Sequence, residues 1–419
     1  MKLLLAADVH LGRLPARLME SSRTVAQLGP AQAFKNLIAA AQEHQVAAVV
    51  IAGDVVDDDR DFYEAYADLH HGAQQLLAAG IRLIVVAGNH DVDVLPRLAQ
   101  ELPNVEFLGK DGRWEFTELA QGAVRIDIMG WSFPSRTVTY SALPEALEVL
   151  KQPRKNPVYL VAHGALNEHQ STYHPLKQAD LEALPIAGWW LGHVHQPHDI
   201  AGTGSGYLGS LSALRRSEQG WRGAWLFDVA AGSYEQVHVS PLRYETITID
   251  TTDIADPADV SAVILQRVRE HHQHEGIAAP VAEVGVHLHF TGRNERRAEL
   301  RKHVANMHPP GKALSPIGSV DYFVTGTSWD VAGQYDLATL AAGVGTQAEL
   351  AARLLALEQP TAPEAQTLIQ AFRAQVEAAE ALGRKHYEQL ESEFTDEELA
   401  AVLRDAVTNV LDTVISEAS

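Results

Sequence analysis

Short apolar runs and amphipathic stretches alternate along roughly the first 240 residues of the chain. In two of the longer stretches, Ala31–His44 and Tyr63–Ala79, apolar residues return at the three-to-four-residue spacing of a helix. The short runs predict strands at Leu3–Ala7, Val46–Ala52, Arg82–Ala87, Val124–Met129, Val158–Ala162 and Trp189–Leu191. Strands that alternate with helices predict an α/β domain whose sheet is covered on both faces.

After these runs the strand patterns follow one another closely, with glycines between them. They predict antiparallel strands that close the domain at Gly206–Leu208, Gly223–Val229, Tyr234–Val239 and Tyr244–Ile249. Beyond Pro241, two helical patterns and one alternating strand predict a second, small α/β unit from Asp259–His272, Val284–Phe290 and Asn294–Ala305.

The pattern of the last 75 or so residues is helical throughout. Two pairs have the spacing of a capping box at a helix start, namely Thr346 with Glu349 and Thr395 with Glu398. The final helix carries an apolar stripe over Leu399–Val414, which is either an internal packing face or a surface for a partner. We therefore expect three regions, at 1–240, 241–320 and 321–419.

Composition changes the picture in three ways. The 419 residues carry a net charge of −21, but residues 321–419, with 5 basic and 17 acidic side chains, account for −12 of it. The acidity therefore does not exclude a nucleic-acid partner for the first two regions. With no cysteine, the chain has no disulfides, thiol catalysis or cysteine-bound metal. No apolar run approaches the ~20 residues of a membrane span, and the start MKLLLAAD predicts a buried strand rather than a signal peptide, so we expect a cytoplasmic protein.

Each of five short polar motifs follows a predicted strand. They are Asp8-Val9-His10, Gly53-Asp54, Gly88-Asn89-His90-Asp91, His163-Gly164 and Gly192-His193-Val194-His195. The carboxyl ends of strands in an open α/β sheet face one crevice, so the motifs can converge. In the D-x-H and H-x-H triplets the outer residues face the same side of an extended chain.

The motifs supply carboxylate, amide and imidazole groups, a set that suits Mn²⁺, Zn²⁺ or Fe²⁺. The candidate ligands are Asp8, His10, Asp54, Asn89, His163, His193 and His195. Seven ligands exceed the needs of one ion with an open position, whereas two ions about 3.5–4 Å apart that share a carboxylate would use them all. His90 lies between Asn89 and the carboxylate of Asp91, and imidazole is the side chain suited to proton transfer near neutral pH, so His90 is a candidate general acid.

The motif set over residues 1–240 resembles the calcineurin-like metallophosphoesterase superfamily. The segments MKLLLAADVHLGR and GYLGSLSALRRSEQGWRGAWLFDV are similar to its DNA-repair nuclease branch, which includes SbcD-type and YhaO-type proteins. The resemblance implies a four-layer α-β-β-α sandwich, followed by a small α/β capping domain and a helical C-terminal region. It also implies a dinuclear-metal phosphodiesterase, a DNA exonuclease or endonuclease that uses Mn²⁺, with Fe²⁺ or Zn²⁺ as alternatives.

The resemblance also implies roles for the matching residues. Asp8, His10, Asp54 and His195 would hold one metal, and Asp54, Asn89, His163 and His193 the other. His90 would be the general acid, oriented by Asp91. The implied assembly is a homodimer that works with an SMC-like coiled-coil ATPase of the SbcC type, which would bind the C-terminal helices.

One departure from the family pattern concerns Asp57, which stands where some members carry a histidine. This carboxylate could orient His90 or a ligand histidine, or it could belong with Asp58, Asp59 and Asp61 to an acidic helix start. Residues left open between a role at the site and a structural or solvent-facing one are Arg13, Arg17, Arg23, Arg215, Arg216, His169, His174, His198, Trp189 and Trp190. Two other functions compete with the nuclease: a stand-alone phosphoesterase on nucleotides, cyclic nucleotides or other small phosphoesters, and a binding subunit without turnover.

Overall fold

The computed structural model describes residues 1–14, 24–57, 62–152, 154–168, 170–333, 336–383 and 394–418. The predicted apolar runs form strands, and the amphipathic stretches form helices. In chain order the first elements are β1 (Lys2–Ala6), α1 (Val25–Leu28), α2 (Pro30–Glu43), β2 (Ala48–Ala52), α3 (Phe62–Ala78), β3 (Arg82–Val86), α4 (Leu95–Glu101), β4 (Val105–Phe107), β5 (Glu115–Gln121), β6 (Val124–Gly130), α5 (Leu143–Leu150), β7 (Val158–His163), α6 (Gln178–Glu182), β8 (Gly188–Gly192), α7 (Ile200–Thr203), β9 (Gly206–Tyr207), β10 (Gly223–Asp228) and β11 (Ser233–His238).

These strands form two sheets. The first has the order β11-β10-β1-β2-β3-β4, in which β1 to β4 are parallel and β10 and β11 are antiparallel to their neighbours. The second has the order β5-β6-β7-β8-β9. Strand β9 pairs parallel to β8, so the predicted antiparallel direction was wrong for this strand. The chain between them passes through α7, and this crossover returns it in the parallel sense.

The two sheets pack face to face. Leu5 and Val50 of the first sheet share a buried cluster with Ile128 and Trp190 of the second. Helices α2 and α3 cover the outer face of the first sheet, and α5 and α6 cover that of the second. The four-layer α-β-β-α sandwich is therefore confirmed. Trp190 is fully buried and stacks on Tyr159, as a core residue does.

The remaining elements are β12 (Leu242–Asp250), α8 (Val260–His274), β13 (Glu283–Arg293), α9 (Arg297–Met307), β14 (Ala313–Ile317), β15 (Val320–Ala332), α10 (Leu337–Ala341), α11 (Thr346–Leu357), α12 (Pro363–Gly383) and α13 (Asp396–Ala418). Four of these strands form a sheet in the order β12-β13-β15-β14. The chain divides into two compact units, one of residues 1–246, 269–287 and 310–326, the other of 247–268, 288–309 and 327–419. The three-region division of the sequence stays a prediction.

The two expected capping boxes have different outcomes. At the start of α13, Glu398 N donates to Thr395 Oγ1 at 3.2 Å, and Thr395 N donates to Glu398 Oε2 at 2.8 Å, which confirms the second box. The first was wrong, because Gly345 occupies the N-cap of α11 and Thr346 is already helical. None of the helices within the described ranges is long and apolar enough to cross a bilayer.

The apolar stripe of α13 is only partly covered. Leu399 packs with Leu357 and Ile369, and Leu411 packs with Leu354. Val402 and Val410, in contrast, are about half exposed, at 51% and 50%. The stripe is therefore an internal packing face in part, and its role as a surface for a partner stays a prediction.

Candidate metal centre

All five polar motifs lie at the carboxyl ends of strands, and their loops have an unusual backbone. Asp8, His10 and Asp54 adopt left-handed conformations at φ 47°, 52° and 50°, and His193 has a φ of 104°. Such conformations cost side-chain-bearing residues about 1–3 kcal/mol each and cluster at functional sites. Backbone hydrogen bonds hold two of these turns: Asp8 N donates to Gly53 O at 3.1 Å, and His10 N donates to Asp54 O at 3.0 Å.

The motif glycines allow close approach at the centre. A Cβ at Gly88 would lie 2.2 Å from Oδ1 of Asp54, and one at Gly192 would lie 2.1 Å from the carbonyl oxygen of Ala52. No side chain fits at either position. Glycine is therefore needed at Gly88 for the close approach of the β2 and β3 loops within the first sheet, and at Gly192 for the close approach of the two sheets.

A first group of donor atoms comes from Asp8, His10 and His195, whose donors all lie within 4.8 Å of one another. The Nε2 atoms of His10 and His195 face each other at 3.2 Å. Each ring places its Nδ1 against a carboxylate at 2.8 Å, that of Asp57 for His10 and that of Glu218 for His195. A ring that donates from Nδ1 keeps a lone pair on Nε2, so two lone pairs point into one space. This donor set fits a divalent cation.

A second group consists of Asp8, Asp54 and His163, all of them buried. His163 Nε2 lies 3.3 Å from Oδ2 of Asp54 and 3.2 Å from Oδ1 of Asn89. Oδ2 of Asp54 also lies 3.9 Å from Nε2 of His10, in the first group. Asp54 therefore lies between the two groups, the position that a bridging carboxylate requires.

The ring of His193 lies beside that of His163, with centroids 5.3 Å apart. The backbone N–H of His193 donates to Oδ1 of Asp8 at 3.0 Å, which ties the β8 loop to the β1 loop. The structure thus brings together all seven candidate ligands of the sequence analysis.

The charges within the centre depend on one another. Burial opposes the ionisation of Asp54, but the neighbouring imidazoles of His163 and His10 outweigh burial and lower its pKa below the usual range. Burial likewise opposes the protonation of His163, but Asp54 and Asp8 raise the pKa of His163 to about 9. Burial lowers the pKa of His193 to about 3. A cation at this centre would displace the proton of His163, so metal binding and protons compete.

His90 lies at the edge of the centre, and its side chain is 40% exposed. Its Nδ1 donates to the backbone carbonyl of Asp57 at 2.8 Å, and its backbone N–H donates to Oδ1 of Asp54 at 3.0 Å. The ring stands edge-on to that of His10, with centroids 5.0 Å apart. With Nδ1 held, Nε2 is the nitrogen available to exchange a proton with a substrate.

Asp91 occupies a different position from the one that the resemblance implies. It is fully buried, and its carboxylate accepts the backbone N–H groups of Val55 at 2.6 Å and Gly88 at 2.8 Å. Burial and the nearby Asp54 raise its pKa to about 7. Asp91 thus fastens the β2 loop to the β3 loop, whereas the acceptor that orients the His90 ring is the carbonyl of Asp57.

Two of the residues left open by the sequence have clear positions at the centre. The carboxylate of Asp57 contacts Nδ1 of His10, a candidate metal ligand, which is one of the roles that the sequence left open for it. Arg13 reaches the same carboxylate at 3.2 Å and is a quarter exposed at the rim.

The other open residues lie further out or outside the described residues. His174 is buried, donates from Nδ1 to the carbonyl of His163 at 2.9 Å and stacks on Trp131, as a structural residue does. Arg216 donates to the carbonyl of Thr325 at 3.1 Å, and the exposed His198 pairs with Asp199. The residues outside the described ranges are Arg17, Arg23, Asp58, Asp59, Asp61 and His169.

Two residues at the centre were missed by the sequence analysis. Glu218 contacts His195, and the ring of Tyr173, 38% exposed, lies 5.2 Å from that of His193. No spacing rule marks either of them. The available signal for Glu218 was a single carboxylate among the arginines of LRRSEQGWR.

Comparisons with known proteins show similarity to phosphoesterases and to a DNA repair protein. Residues 1–197 match the model of the calcineurin-like phosphoesterase family. The uncharacterized metallophosphoesterase YhaO of Bacillus subtilis is 26% identical over 267 residues, which cover 59% of this chain and 62% of that protein. The chain thus spans less than two thirds of YhaO. The DNA double-strand break repair protein Mre11 of Sulfurisphaera tokodaii is 24% identical over 315 residues, 71% of this chain and 76% of that one.

A solved structure of a dimetal phosphatase from Danio rerio is 12% identical. It covers 54% of this chain and 91% of its own, with a TM-score of 0.35.

Proposed function

We propose that this chain, whose residues 1–197 belong to the calcineurin-like phosphoesterase family of metal-dependent hydrolases, is a dinuclear-metal phosphodiesterase that cleaves DNA. The observation that carries the proposal is the convergence of the imidazole lone pairs of His10 and His195 beside a second donor group, with Asp54 between the two. One ion would leave part of this donor set unused.

In this proposal Asp8, His10, Asp54 and His195 hold one ion, and Asp54, Asn89, His163 and His193 hold the other. When bound, the two ions, for which we propose Mn²⁺, would polarise a phosphodiester and lower the pKa of a bound water enough to provide hydroxide at neutral pH. The carboxylates of Asp8 and Asp54 would balance part of the positive charge of the two ions. Tyr173, exposed beside His193, offers a ring on which a base can stack.

His90 acts as the general acid. Its Nδ1 is held by the carbonyl of Asp57, so protonated Nε2 donates its proton to the oxygen that leaves the phosphorus. Asp91 holds the β2 loop to the β3 loop. Asp57 orients His10 with its carboxylate and His90 with its backbone carbonyl.

Three observations support DNA as the substrate. The relative Mre11 is a DNA double-strand break repair protein, and the N-terminal and LGSLSALRR segments resemble the same branch. More than half of the net charge, −12 of −21, lies beyond residue 320. Arg13 lies at the rim of the centre, where a phosphate of the backbone would pass.

We further propose an SbcD-type exonuclease or endonuclease that acts in DNA repair in the cytoplasm, as a homodimer with an SMC-like ATPase of the SbcC type. The half-exposed Val402 and Val410 of α13 are the surface offered to that partner. Val402→Asp and Val410→Asp should abolish co-elution with the ATPase and leave hydrolysis of a small phosphodiester unchanged. Retained co-elution would contradict this assignment.

A stand-alone phosphoesterase on nucleotides, cyclic nucleotides or other small esters is the second candidate. The same centre would serve those substrates, the name of YhaO specifies only a metallophosphoesterase, and the net charge of −21 disfavours a polyanion.

The deciding experiment is Mn²⁺-dependent cleavage of linear single- and double-stranded DNA, beside an aryl phosphodiester and a cyclic nucleotide. Asp54→Asn and His90→Ala are the test variants, and His71→Ala, exposed on α3, is the matched control. We expect DNA cleavage that falls by about 10²–10⁴-fold in His90→Ala, is lost in Asp54→Asn and is unchanged in His71→Ala. Turnover of small esters with intact DNA, even after an SbcC-type ATPase is added, would favour the second candidate. Full activity in both test variants would refute an enzyme at this centre.

A further inference from the structure

The second ring nitrogen of His195 contacts the carboxylate of Glu218. Nδ1 lies 2.8 Å from Oε1, and the Glu218 side chain is 11% exposed. Its other oxygen, Oε2, accepts the backbone N–H of Leu214 at 2.7 Å. Because both oxygens are engaged, the carboxylate cannot rotate away from the ring without losing a hydrogen bond.

The segment that carries Glu218 is fastened on both sides. Before it, Arg216 Nη1 donates to the carbonyl of Thr325 at 3.1 Å, and after it, Gly220 N donates to the carbonyl of Tyr244 at 2.9 Å. The buried Arg222 lies close enough to attract Glu218 electrostatically. Glu218 is therefore a fixed, charge-compensated acceptor rather than a mobile surface acid.

The same arrangement holds the opposite ring, since His10 Nδ1 lies 2.8 Å from Oδ1 of Asp57. The other donor group differs, because His163 Nδ1 donates to the neutral carbonyl of Ala52 at 3.1 Å. A carboxylate partner makes an imidazole a stronger metal ligand and fixes its tautomer. The two donor groups therefore differ in the partners of their histidines: His10 and His195 contact negatively charged carboxylates, whereas His163 contacts a neutral carbonyl.

We infer that Glu218 is a positioning residue that holds His195 ready to bind metal, and that Glu218 and Asp57 make the site of Asp8, His10 and His195 the tighter of the two metal sites. This inference rests on the proposed two-metal function. It predicts the order of loading: the first ion enters beside His10 and His195, and the second enters beside His163.

The test is a calorimetric titration of the metal-free full-length chain with Mn²⁺ alone. The wild type is compared with Glu218→Ala, Glu218→Gln and the matched control Glu235→Gln, at an exposed glutamate of β11. We expect two binding steps, of which Glu218→Ala weakens the tighter one by about 10–100-fold and leaves the other within a few-fold. Glu218→Gln should lie between Glu218→Ala and the wild type, since its amide oxygen still accepts from Nδ1.

Two further readouts separate positioning from a general structural role. Thermal unfolding in chelator shows whether each metal-free variant is folded. The absorption spectrum of Co²⁺ bound at one equivalent reports the ligand set of the tighter site; it should change most in Glu218→Ala, less in Glu218→Gln and not in Glu235→Gln. If Glu218→Ala is unfolded, Glu218→Gln carries the comparison.

Unchanged steps in both Glu218 variants, or equal weakening of the two steps, would overturn the inference. A single step in the wild type would overturn it together with the two-metal proposal. The titration contains no DNA, so a failure to cleave DNA would leave its result intact, and the two proposals can fail separately.

Discussion

Nδ1 of His10 lies 2.8 Å from Oδ1 of Asp57, although 47 residues separate the two in the chain. The backbone carbonyl of the same Asp57 accepts a hydrogen bond from Nδ1 of His90. One residue thus orients a candidate metal ligand with its side chain and the candidate general acid with its main chain. A substitution of Asp57 removes only the first of these contacts.

We therefore expect Asp57→Ala to act through metal binding. The Mn²⁺ concentration that gives half-maximal phosphodiester hydrolysis should rise by about 10–100-fold. Asp57→Asn should have a smaller effect, because its amide oxygen can still accept from Nδ1 of His10. The exposed Asp253→Ala serves as the control. An unchanged Mn²⁺ dependence in Asp57→Ala would show that His10 needs no such partner.

The general-acid role of His90 predicts a dependence on the leaving group. His90→Ala should reduce hydrolysis of an ester with an alkoxide leaving group by about 10²–10⁴-fold. An aryl ester, whose leaving group needs no proton, should lose far less. The ratio of the two kcat values in wild type and variant measures this effect. Equal losses on both esters would place His90 in substrate binding instead.

Helices α11 and α13 each have a threonine at their start, and these two threonines make a matched pair for substitution. Thr395→Ala removes the side chain that caps α13 and should lower the free energy of unfolding by about 1 kcal/mol. Thr346→Ala, at the first turn of α11, removes no cap and should change it by less. Chemical denaturation of both variants checks this. Equal effects would mean that the Thr395 contact contributes nothing.

Glu106 predicts a pH-dependent contribution to stability. Partial burial would raise its pKa, but hydrogen bonds from Arg82 and Thr117 lower it below the usual 4.5. A lowered pKa in the folded state means that the contribution is present above the unfolded pKa and is lost as the pH falls.

Glu106→Gln should therefore destabilise the protein near pH 7 by about 0.5–1 kcal/mol, the range of a partly exposed ion pair. The difference from wild type should shrink below about pH 4. Denaturant unfolding at pH 7 and at the lowest pH where the fold persists measures it. A difference that does not depend on pH would indicate a loss of packing rather than of charge.

The residues at strand ends were predictable because apolar runs mark the strands and polar triplets follow them directly. Asp8, His163 and the GHVH motif are of this kind. The partner of His195 was not predictable, because Glu218 lies 23 residues further along and reaches the ring only through the folded segment.

Four strands escaped prediction, namely β4, β5, β14 and β15. For β4 and β5 the reason is related. Strand β4 has three half-buried residues, and β5 is an edge strand with mixed burial, so neither shows an apolar run. The direction of β9 depended on the crossover before it, which no local pattern encodes. The role of Asp91 was misplaced because its neighbour in sequence, His90, turns its ring towards Asp57.

The left-handed backbones of Asp8, His10 and Asp54 restrict what evolution or engineering can place there. Each position must satisfy two independent demands, a donor atom and a conformation that asparagine and glycine tolerate best. Alanine fails both, so an alanine variant mixes lost chemistry with a distorted loop. Asparagine keeps the turn while weakening the ligand. The amide variants are thus the informative inactive forms of this chain, and mutational drift at Asp8 and Asp54 should pass through asparagine first.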